Sequence, residues 1–249
     1  MEINDIYSVI FKRKSIRKYD LSPLDDDDLK KIEDHIDHLT PLYSDIKIDI
    51  KIVSANDVKT KFIMKKAPHY LAMFSEVKED YLTNVGFMLQ QMDLILSSMG
   101  IGTCWQEIPN LTTKALKLSK LKFIILLAFG KPLEPLYRES ISEFKRKPLQ
   151  KISNFDGDEA LLEPSRLAPS ATNNQPWFFT GNDNIIHIYS IKPNILKSIL
   201  LKRTIPIDIG IAMYHLKVAA EHFNKNFEIV FDKTSEKNGY IYYASMNLE

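Results

Sequence analysis

The sequence predicts an α+β fold with a mixed sheet and packed helices, arranged as two pseudo-symmetric halves in one chain. Helical and strand patterns alternate along the sequence, and several neighbouring strand patterns are close enough to form hairpins. Two long apolar helix patterns, one in each half, are each followed by two strand patterns. Hydrophobic residues make up 45% of the chain and charged residues 26%, an ordinary globular balance that permits a sizeable core.

Hydrophobic spacing identifies the individual elements. Apolar residues at helical spacing predict helices, whereas alternation or short continuous apolar runs predict strands. A capping-type serine and a proline before a run of aspartates predict that one helix begins near Ser22-Pro23. The polar, proline-containing stretch 131–158 shows no period and is predicted to be a surface connection. The predicted helices are 3–11, from 22–23 onward, 81–99 and 209–223, and the predicted strands are 46–53, 69–75, 103–108, 122–130, 187–191, 227–231 and 239–246.

The repeat appears when Gly86 is aligned with Gly210. The segment VGFMLQQMDLILSSMG then lies on IGIAMYHLKVAAEHFN, with apolar residues at matching positions. Gly100 falls on Asn224, and both residue types tolerate the left-handed conformation that ends a helix. The repeat predicts two halves, residues 1–135 and 136–249.

Charge and composition exclude several classes of function. The chain has 33 Lys plus Arg against 32 Asp plus Glu, so no overall field favours nucleic acid or an anionic membrane. No run approaches the roughly 20 apolar residues of a membrane helix, and the N-terminus lacks a signal-peptide pattern. The single cysteine, Cys104, excludes an internal disulfide, and its apolar surroundings predict a buried side chain. We expect a cytoplasmic protein without a metal site.

Two segments have an unusual composition. The basic segment, Lys12–Asp20 (KRKSIRKYD), surrounds Ser15 with cations, which suits a phosphate monoester; the alternative is a solvated basic turn. The polar segment, Ala168–Trp177 (APSATNNQPW), concentrates hydroxyl and amide groups before a predicted strand. It can present polar groups to a heterocycle or sugar, or it is an ordinary loop that leads to a core tryptophan.

Together the segments resemble flavin nitroreductases. RKSIRKY is similar to that family's opening R-[RK]-S-x-R-x-[FY] motif, and the polar segment is similar to its P-S-x-x-N-x-Q-P-W motif. MGIGTCW and ILLAFGKP resemble the family's G-x-G-x-x-W and strand-G-x-P segments. In ordinary members the P-S-x-x-N-x-Q-P-W motif precedes the central helix, whereas here it comes last. This order, with the repeat, resembles a single-chain pseudodimer variant of the family.

Each half departs from the family pattern where the other keeps it. In the N-terminal half, YSDIKIDIKIV stands where the polar segment would pair, and it has none of the motif's polar features. In the C-terminal half, RESISEF has Ser142 where the basic segment has Arg17. The resemblance therefore implies one composite FMN site per chain, so that a monomer suffices. Ala171 replaces a serine found in many relatives, which removes one hydrogen-bonding group.

The resemblance also implies residue roles and an activity. FMN would be reduced by NADH or NADPH and would then reduce a nitroaromatic, quinone or similar small-molecule acceptor, with no catalytic side chain required. The alternatives are other flavin chemistry, such as dehalogenation or dehydrogenation, or a flavin store or sensor without turnover. Gly100 and Gly102 would let the backbone approach the edge of the flavin ring. The alternative is a structural role, in which they end a helix and begin a strand. The implied FMN-binding residues are Arg13, Lys14, Ser15 and Arg17 on the phosphate and ribityl side, Pro169, Ser170 and Asn173 from the other half, and Lys145 and Arg146 near the phosphate.

Overall fold

The computed structural model describes residues 3–59, 66–107, 110–193, 201–231 and 237–248. Its helices are α1 Ile3–Ile10, α2 Asp26–Asp37, α3 Tyr81–Ser98, α4 Thr113–Leu116, α5 Glu163–Arg166 and α6 Thr204–His222. Its strands are β1 Ile48–Ser54, β2 Val58–Lys59, β3 His69–Ser75, β4 Gly102–Gln106, β5 Asn110–Leu111, β6 Lys122–Gly130, β7 Ser153–Asp156, β8 Trp177–Asn182, β9 Ile185–Ile191, β10 Phe227–Val230 and β11 Tyr240–Leu248.

These elements form two compact units. The first unit is Lys12–Ser140, and the second joins the chain up to Phe11 to the part from Ile141 onward. The predicted halves, 1–135 and 136–249, were drawn from the sequence repeat and stay a prediction.

The first unit is built on an antiparallel sheet with the strand order β1-β3-β6-β4. Strand β3 is buried along its whole length, and β6 from Ile124 to its end, because continuous apolar runs form both. Helix α3 is buried on most of its circumference and packs against β3, β4 and β6. A two-stranded ladder of β2 and β5 completes the strands described in this unit.

The second unit contains a five-stranded mixed sheet in the order β10-β11-β9-β8-β7. Strands β7 and β8 are parallel, and the other pairs are antiparallel. Helix α6 is buried and contacts α1, α5 and the sheet. The ring of Tyr7 in α1 stacks on His222 at the end of α6, with centroids 3.6 Å apart.

The predicted α+β class, with its packed helices, is confirmed. Strand β3 has the predicted bounds, β6 has the predicted bounds, and Gly100 ends α3 in the left-handed conformation with φ 84°. Asn224, its predicted counterpart after α6, is also left-handed, with φ 54°. Among the residues described, no helix is long and apolar enough to cross a bilayer. Ile108, the last residue of the predicted strand 103–108, lies outside the described residues.

Two predicted helix starts were wrong, and one predicted connection contains regular structure. Helix α2 begins at Asp26 rather than near Ser22, because the Asp25 side chain caps it by accepting from the Asp28 N–H at 2.9 Å. Helix α6 begins at Thr204 and not at 209, since Pro206 lies in its first turn, where the missing N–H is tolerated. The stretch 131–158 contains short 3-10 helices and strand β7, whose partly exposed edge position gives it no hydrophobic signal.

Candidate functional site

In the first unit, backbone hydrogen bonds hold the basic segment in place. The Ile16 N–H donates to the Thr103 carbonyl at 2.8 Å, which aligns the segment with the start of β4. On its other side the segment runs antiparallel to 131–138, with bonds from Arg138 N–H to the Lys12 carbonyl and from Leu133 N–H to the Lys18 carbonyl. Backbone hydrogen bonds to its neighbours therefore hold the segment along its length.

Arg13 lies inside the first unit. Its side chain is only 2% exposed, and its Nε lies 3.3 Å from Oδ2 of Asp93, a fully buried carboxylate on α3. Asp93 also accepts hydrogen bonds from the Thr103 hydroxyl and from Gln90 Nε2. Arg13 Nη2 reaches the Ser15 hydroxyl at 3.3 Å. The structure thus gives Arg13 a structural ion pair, and its role toward the phosphate stays a prediction.

Among the described residues, by contrast, Lys14 and Arg17 have no such ion pair. Lys14 is half-buried, and Arg17 is exposed, with a 3.3 Å bond from its guanidinium to the Ser15 carbonyl. The backbone N–H groups of Arg17 and Lys18 both donate to Oε1 of Glu134, at 2.6 and 3.2 Å. These bonds, the Arg17 bond first, lower the pKa of the Glu134 carboxyl below its usual value. The exposed Arg17 side chain is the most accessible cation of this segment's predicted ligands.

The two glycines of MGIGTCW have structural explanations. Gly100 has the positive φ that a helix C-terminus requires, with open space around it. A Cβ on Gly102 would lie 2.9 Å from the side chain of Ile16, which is fully buried. The close approach of the basic segment to β4 therefore requires a glycine at position 102. Of the two interpretations of these glycines, the geometry supports the structural one.

The polar segment of the second unit has an unusual backbone. Thr172, Asn173 and Gln175 all have φ between 49° and 58°, and Lys145 has φ 49°. Among the described residues only two other non-glycine positions share this left-handed conformation, Asp80 and Asn224. Residues with a Cβ are strained there, and such strain persists only where surrounding contacts enforce it.

Gln175 supplies several of those contacts. Its side chain is 2% exposed; Oε1 accepts from the Lys147 N–H at 2.7 Å and Nε2 donates to the Asn173 carbonyl at 3.0 Å. Its backbone N–H donates to the hydroxyl of Ser170 at 2.9 Å. The Lys147 ammonium in turn donates to the carbonyls of Asn174 and Gln175, at 2.8 and 2.9 Å. Gln175 therefore joins the polar segment to Lys147.

Arg146 and Asn173 make a second connection between the same stretches. Arg146 Nη1 donates to Oδ1 of Asn173 at 2.5 Å, and Asn173 Nδ2 donates to the Lys145 carbonyl at 3.0 Å. The guanidinium also donates to the Leu167 carbonyl from Nε and Nη2, and to the Phe144 carbonyl from Nη1. Lys145 itself is exposed. Of the five predicted FMN-binding residues of this unit, four take part in these hydrogen bonds: Lys145, Arg146, Ser170 and Asn173.

The start of the polar segment is fixed by helix α6. Asp208, a buried carboxylate in the first turns of that helix, accepts from the Ala171 N–H at 2.9 Å. Pro169 is buried and Ser170 is half-buried, whereas Asn173 is exposed. Trp177 is fully buried at the start of β8, as the core interpretation predicted. The segment therefore has a buried base and an exposed polar tip.

Several residues that shape these segments were not predicted from the sequence. Asp93 carried a usable signal, since it is the one charged residue of the long helix pattern and so requires a partner if that helix is buried. Asp208 has a similar signal in the first turns of α6. Gln175 lies within the predicted motif, but its role depends on contacts with Lys147 that the sequence does not show. Within the described ranges, no group of three or more His, Cys, Asp or Glu side chains is placed to hold a metal ion.

Comparison with known proteins identifies the family of this chain. A family model described as "Putative TM nitroreductase" matches residues 5–220. A crystal structure titled as a putative nitroreductase from Thermotoga maritima has 24% identity and a TM-score of 0.65, covering 98% of this chain and 92% of that one. At that identity the likeness shows the fold.

Two further solved structures cover a smaller part of the chain. A protein titled as a putative NADH dehydrogenase/NAD(P)H nitroreductase from Parabacteroides distasonis is 17% identical, with a TM-score of 0.45, and covers 60% of this chain and 96% of its own. An FMN-dependent nitroreductase from Clostridium difficile is 16% identical, with a TM-score of 0.42, and covers 55% and 92%. No curated protein sequence matches the chain significantly. The family model spans well over half of the chain, which therefore belongs to this nitroreductase family.

Proposed function

We propose that this protein is an FMN-dependent oxidoreductase that uses NADH or NADPH to reduce nitroaromatic, quinone or similar electron-poor acceptors. The observation that carries the proposal is family membership together with both motif-bearing segments, the basic segment and the polar segment. Bound FMN would supply the redox chemistry, accepting hydride at N5 and returning electrons to the acceptor. The protein's own residues would bind and orient the cofactor.

The chemistry of the side chains fits a flavin mononucleotide. A phosphate monoester requires cations and directional donors, and Arg17 and Lys145 are exposed, with Lys14 half-buried. The left-handed backbone and the exposed Thr172, Asn173 and Asn174 give the polar segment a fixed polar tip, a suitable partner for a heterocycle or ribityl chain. Each of these assignments belongs to the proposal.

We also propose one FMN per polypeptide, because each half of the sequence keeps the motif that the other half has lost. Released flavin, quantified against protein, is expected at a ratio near one, with a single chain sufficient for binding. A ratio near two would contradict the single site. Flavin that is lost whenever a dimer is diluted would contradict the sufficiency of the monomer.

An absorbance spectrum tests the activity directly. The purified protein is expected to show an oxidised flavin spectrum that bleaches on anaerobic addition of NADH or NADPH and recovers when a quinone or nitroaromatic acceptor is added. Bleaching by dithionite alone would instead indicate a flavin store or sensor. Bleaching without recovery by either acceptor would favour different flavin chemistry.

A further inference from the structure

A lysine-rich surface lies in the first unit, outside both the basic and the polar segment. The chain has no Asp or Glu between Glu107 and Glu134. Within that stretch, β5, α4 and the start of β6 follow one another over residues 110–122. Exposed lysines and leucines recur along them. What we call the lysine surface consists of Lys114, Leu116, Lys117, Leu118, Lys120 and Lys122.

The fold turns these side chains outward. Leu111 of β5 and Ala115 of α4 belong to the buried cluster of the first unit. Because these two residues face the interior, their neighbours face solvent, and Leu116 is 42% and Leu118 47% exposed. Strand β2 pairs with β5 and brings the exposed Lys59 beside them. The packing that buries one side of this stretch thus leaves cations and two large apolar side chains in water.

Ion pairs do not neutralise the charge of this surface. Among the residues that the structure describes, its four lysines and Lys59 form no ion pair, whereas other lysines of the chain do. The ion-paired lysines are Lys31, Lys51, Lys78 and Lys217. Unpaired surface cations act together on an anionic surface within about one Debye length, roughly 10 Å at 0.1 M salt.

The carboxylates next to the surface are bound to other groups. The Asp57 carbonyl accepts from the Thr112 N–H at 2.8 Å, which places Asp57 directly beside β5 and α4. Its carboxylate accepts from the N–H and the hydroxyl of Ser54, at 3.1 and 2.8 Å. Glu76, which follows β3, lies 3.3 Å from the ammonium of Lys78. The lysine surface therefore keeps its positive charge.

The residue types of the lysine surface favour a lipid bilayer over other polyanions. A lysine carries its charge at the end of an apolar stem, which suits the boundary between headgroups and acyl chains. Residues 110–122 include no arginine, the side chain best suited to the fixed geometry of phosphates and carboxylates in nucleic acids and proteins. They also include no aromatic residue on which bases could stack. The two exposed leucines gain free energy only where apolar groups surround them.

We propose that the lysine surface docks the protein on an anionic lipid bilayer, with the lysines at the headgroups and Leu116 and Leu118 at the acyl boundary. Polybasic surfaces bind acidic lipids because each cation near the membrane contributes separately. A chain with a net charge of +1 can bind in this way, since its acidic residues lie elsewhere. Docking requires no flavin and is independent of the proposed function.

Flotation with lipid vesicles tests the docking. At low salt, about 50 mM, the purified full chain is expected to float with phosphatidylcholine vesicles that contain about 30% phosphatidylserine. It is expected to stay behind when the vesicles contain phosphatidylcholine alone. Raising the salt to about 500 mM is expected to release the protein, because the Debye length becomes shorter than the distance to many headgroups.

Three double variants locate the binding surface. K117Q/K120Q is expected to weaken binding to the phosphatidylserine vesicles about 10- to 30-fold, since each lysine contributes roughly five-fold. L116S/L118S keeps the charge and is expected to weaken binding about 10-fold. The matched control is K30Q/K31Q, which removes two exposed lysines of α2 and is expected to bind like the parent. All three change exposed side chains and should melt at the temperature of the parent.

Three results would overturn the proposal. The first is a parent protein that does not float with phosphatidylserine vesicles at low salt. The second is K117Q/K120Q that floats like the parent, because binding would then use another surface. The third is L116S/L118S that floats like the parent, because the surface would then bind polyanions by charge alone. Titration with polyglutamate would in that case measure its affinity for an acidic protein segment.

Discussion

The basic segment and the polar segment are held in place by different means. The basic segment lies along its neighbours through backbone hydrogen bonds, and one buried ion pair, Arg13 with Asp93, anchors its start. The polar segment has a left-handed backbone that side chains enforce, chiefly Gln175, Asn173 and Arg146. In each unit an arginine thus binds other groups of the same unit, and the lysine next to it in sequence is more accessible. The pairs are Arg13 with Lys14 and Arg146 with Lys145.

Because of this difference, substitutions in the two segments are expected to affect stability and cofactor affinity differently. In the basic segment, a side chain such as Arg17 can be removed without disturbing the backbone, because the backbone is paired independently. In the polar segment, removing a polar side chain releases strain and alters the shape of the segment itself. Stability and cofactor affinity are therefore separable at Arg17 in the first segment and coupled in the second.

The largest expected effect is at the buried ion pair. Asp93→Ala leaves the Arg13 guanidinium buried without its carboxylate and is expected to destabilise the protein by about 3–5 kcal/mol. Urea unfolding of the apo-protein measures this. Replacing both partners, with Arg13→Met and Asp93→Leu together, is expected to recover much of the loss. If the single variant were as stable as the parent, Asp93 would not anchor the basic segment.

The next effect is on cofactor binding through Arg17. Arg17→Ala is expected to weaken FMN binding by about 1.5–3 kcal/mol, the range for losing a charge-assisted hydrogen bond, and riboflavin binding far less. Its melting temperature should match that of the parent. Arg13→Ala is also expected to weaken FMN, but it destabilises the fold at the same time and so cannot isolate the phosphate contact. Equal losses of FMN and riboflavin in Arg17→Ala would assign the segment a structural role.

A smaller effect is expected when the polar segment loses its buried amide. Gln175→Ala removes the acceptor of the Lys147 N–H and is expected to cost about 1–3 kcal/mol in unfolding free energy. The matched control is Asn174→Ala, at the adjacent exposed position, which is expected to change stability little. Because shape and stability are coupled here, Gln175→Ala should also weaken FMN. A destabilised variant with unchanged FMN affinity would break that coupling.

The smallest effect concerns pH and the basic segment. The folded pKa of Glu134 lies below its usual value of 4.5, mainly because the Arg17 N–H donates to it. Its contribution to stability is therefore present above about pH 4.5 and is lost as the pH falls through the folded pKa. Glu134→Gln is expected to flatten the acid side of the stability profile. An unchanged profile would show that these bonds do not matter in solution.

Much of the fold could be predicted from local patterns. Strands β3 and β6 are continuous apolar runs, so the same pattern predicts both the burial and the boundaries of each strand. Cys104 and Trp177 were predicted to be buried and are buried. Strand β7 could not be found in this way, because a short, partly exposed edge strand has no hydrophobic period and pairs in parallel with a strand distant in sequence.

The sequence by itself determined the family, the fold class and the two segments that carry the candidate site, because these depend on residue identity and order. Only the tertiary structure decided how the charged and amide side chains are used. Arg13 and Arg17 are alike in a list of basic residues, yet one is buried against Asp93 and the other is exposed. The left-handed backbone at Lys145 has no sequence signal, and its carbonyl accepts a hydrogen bond from Asn173, 28 positions away.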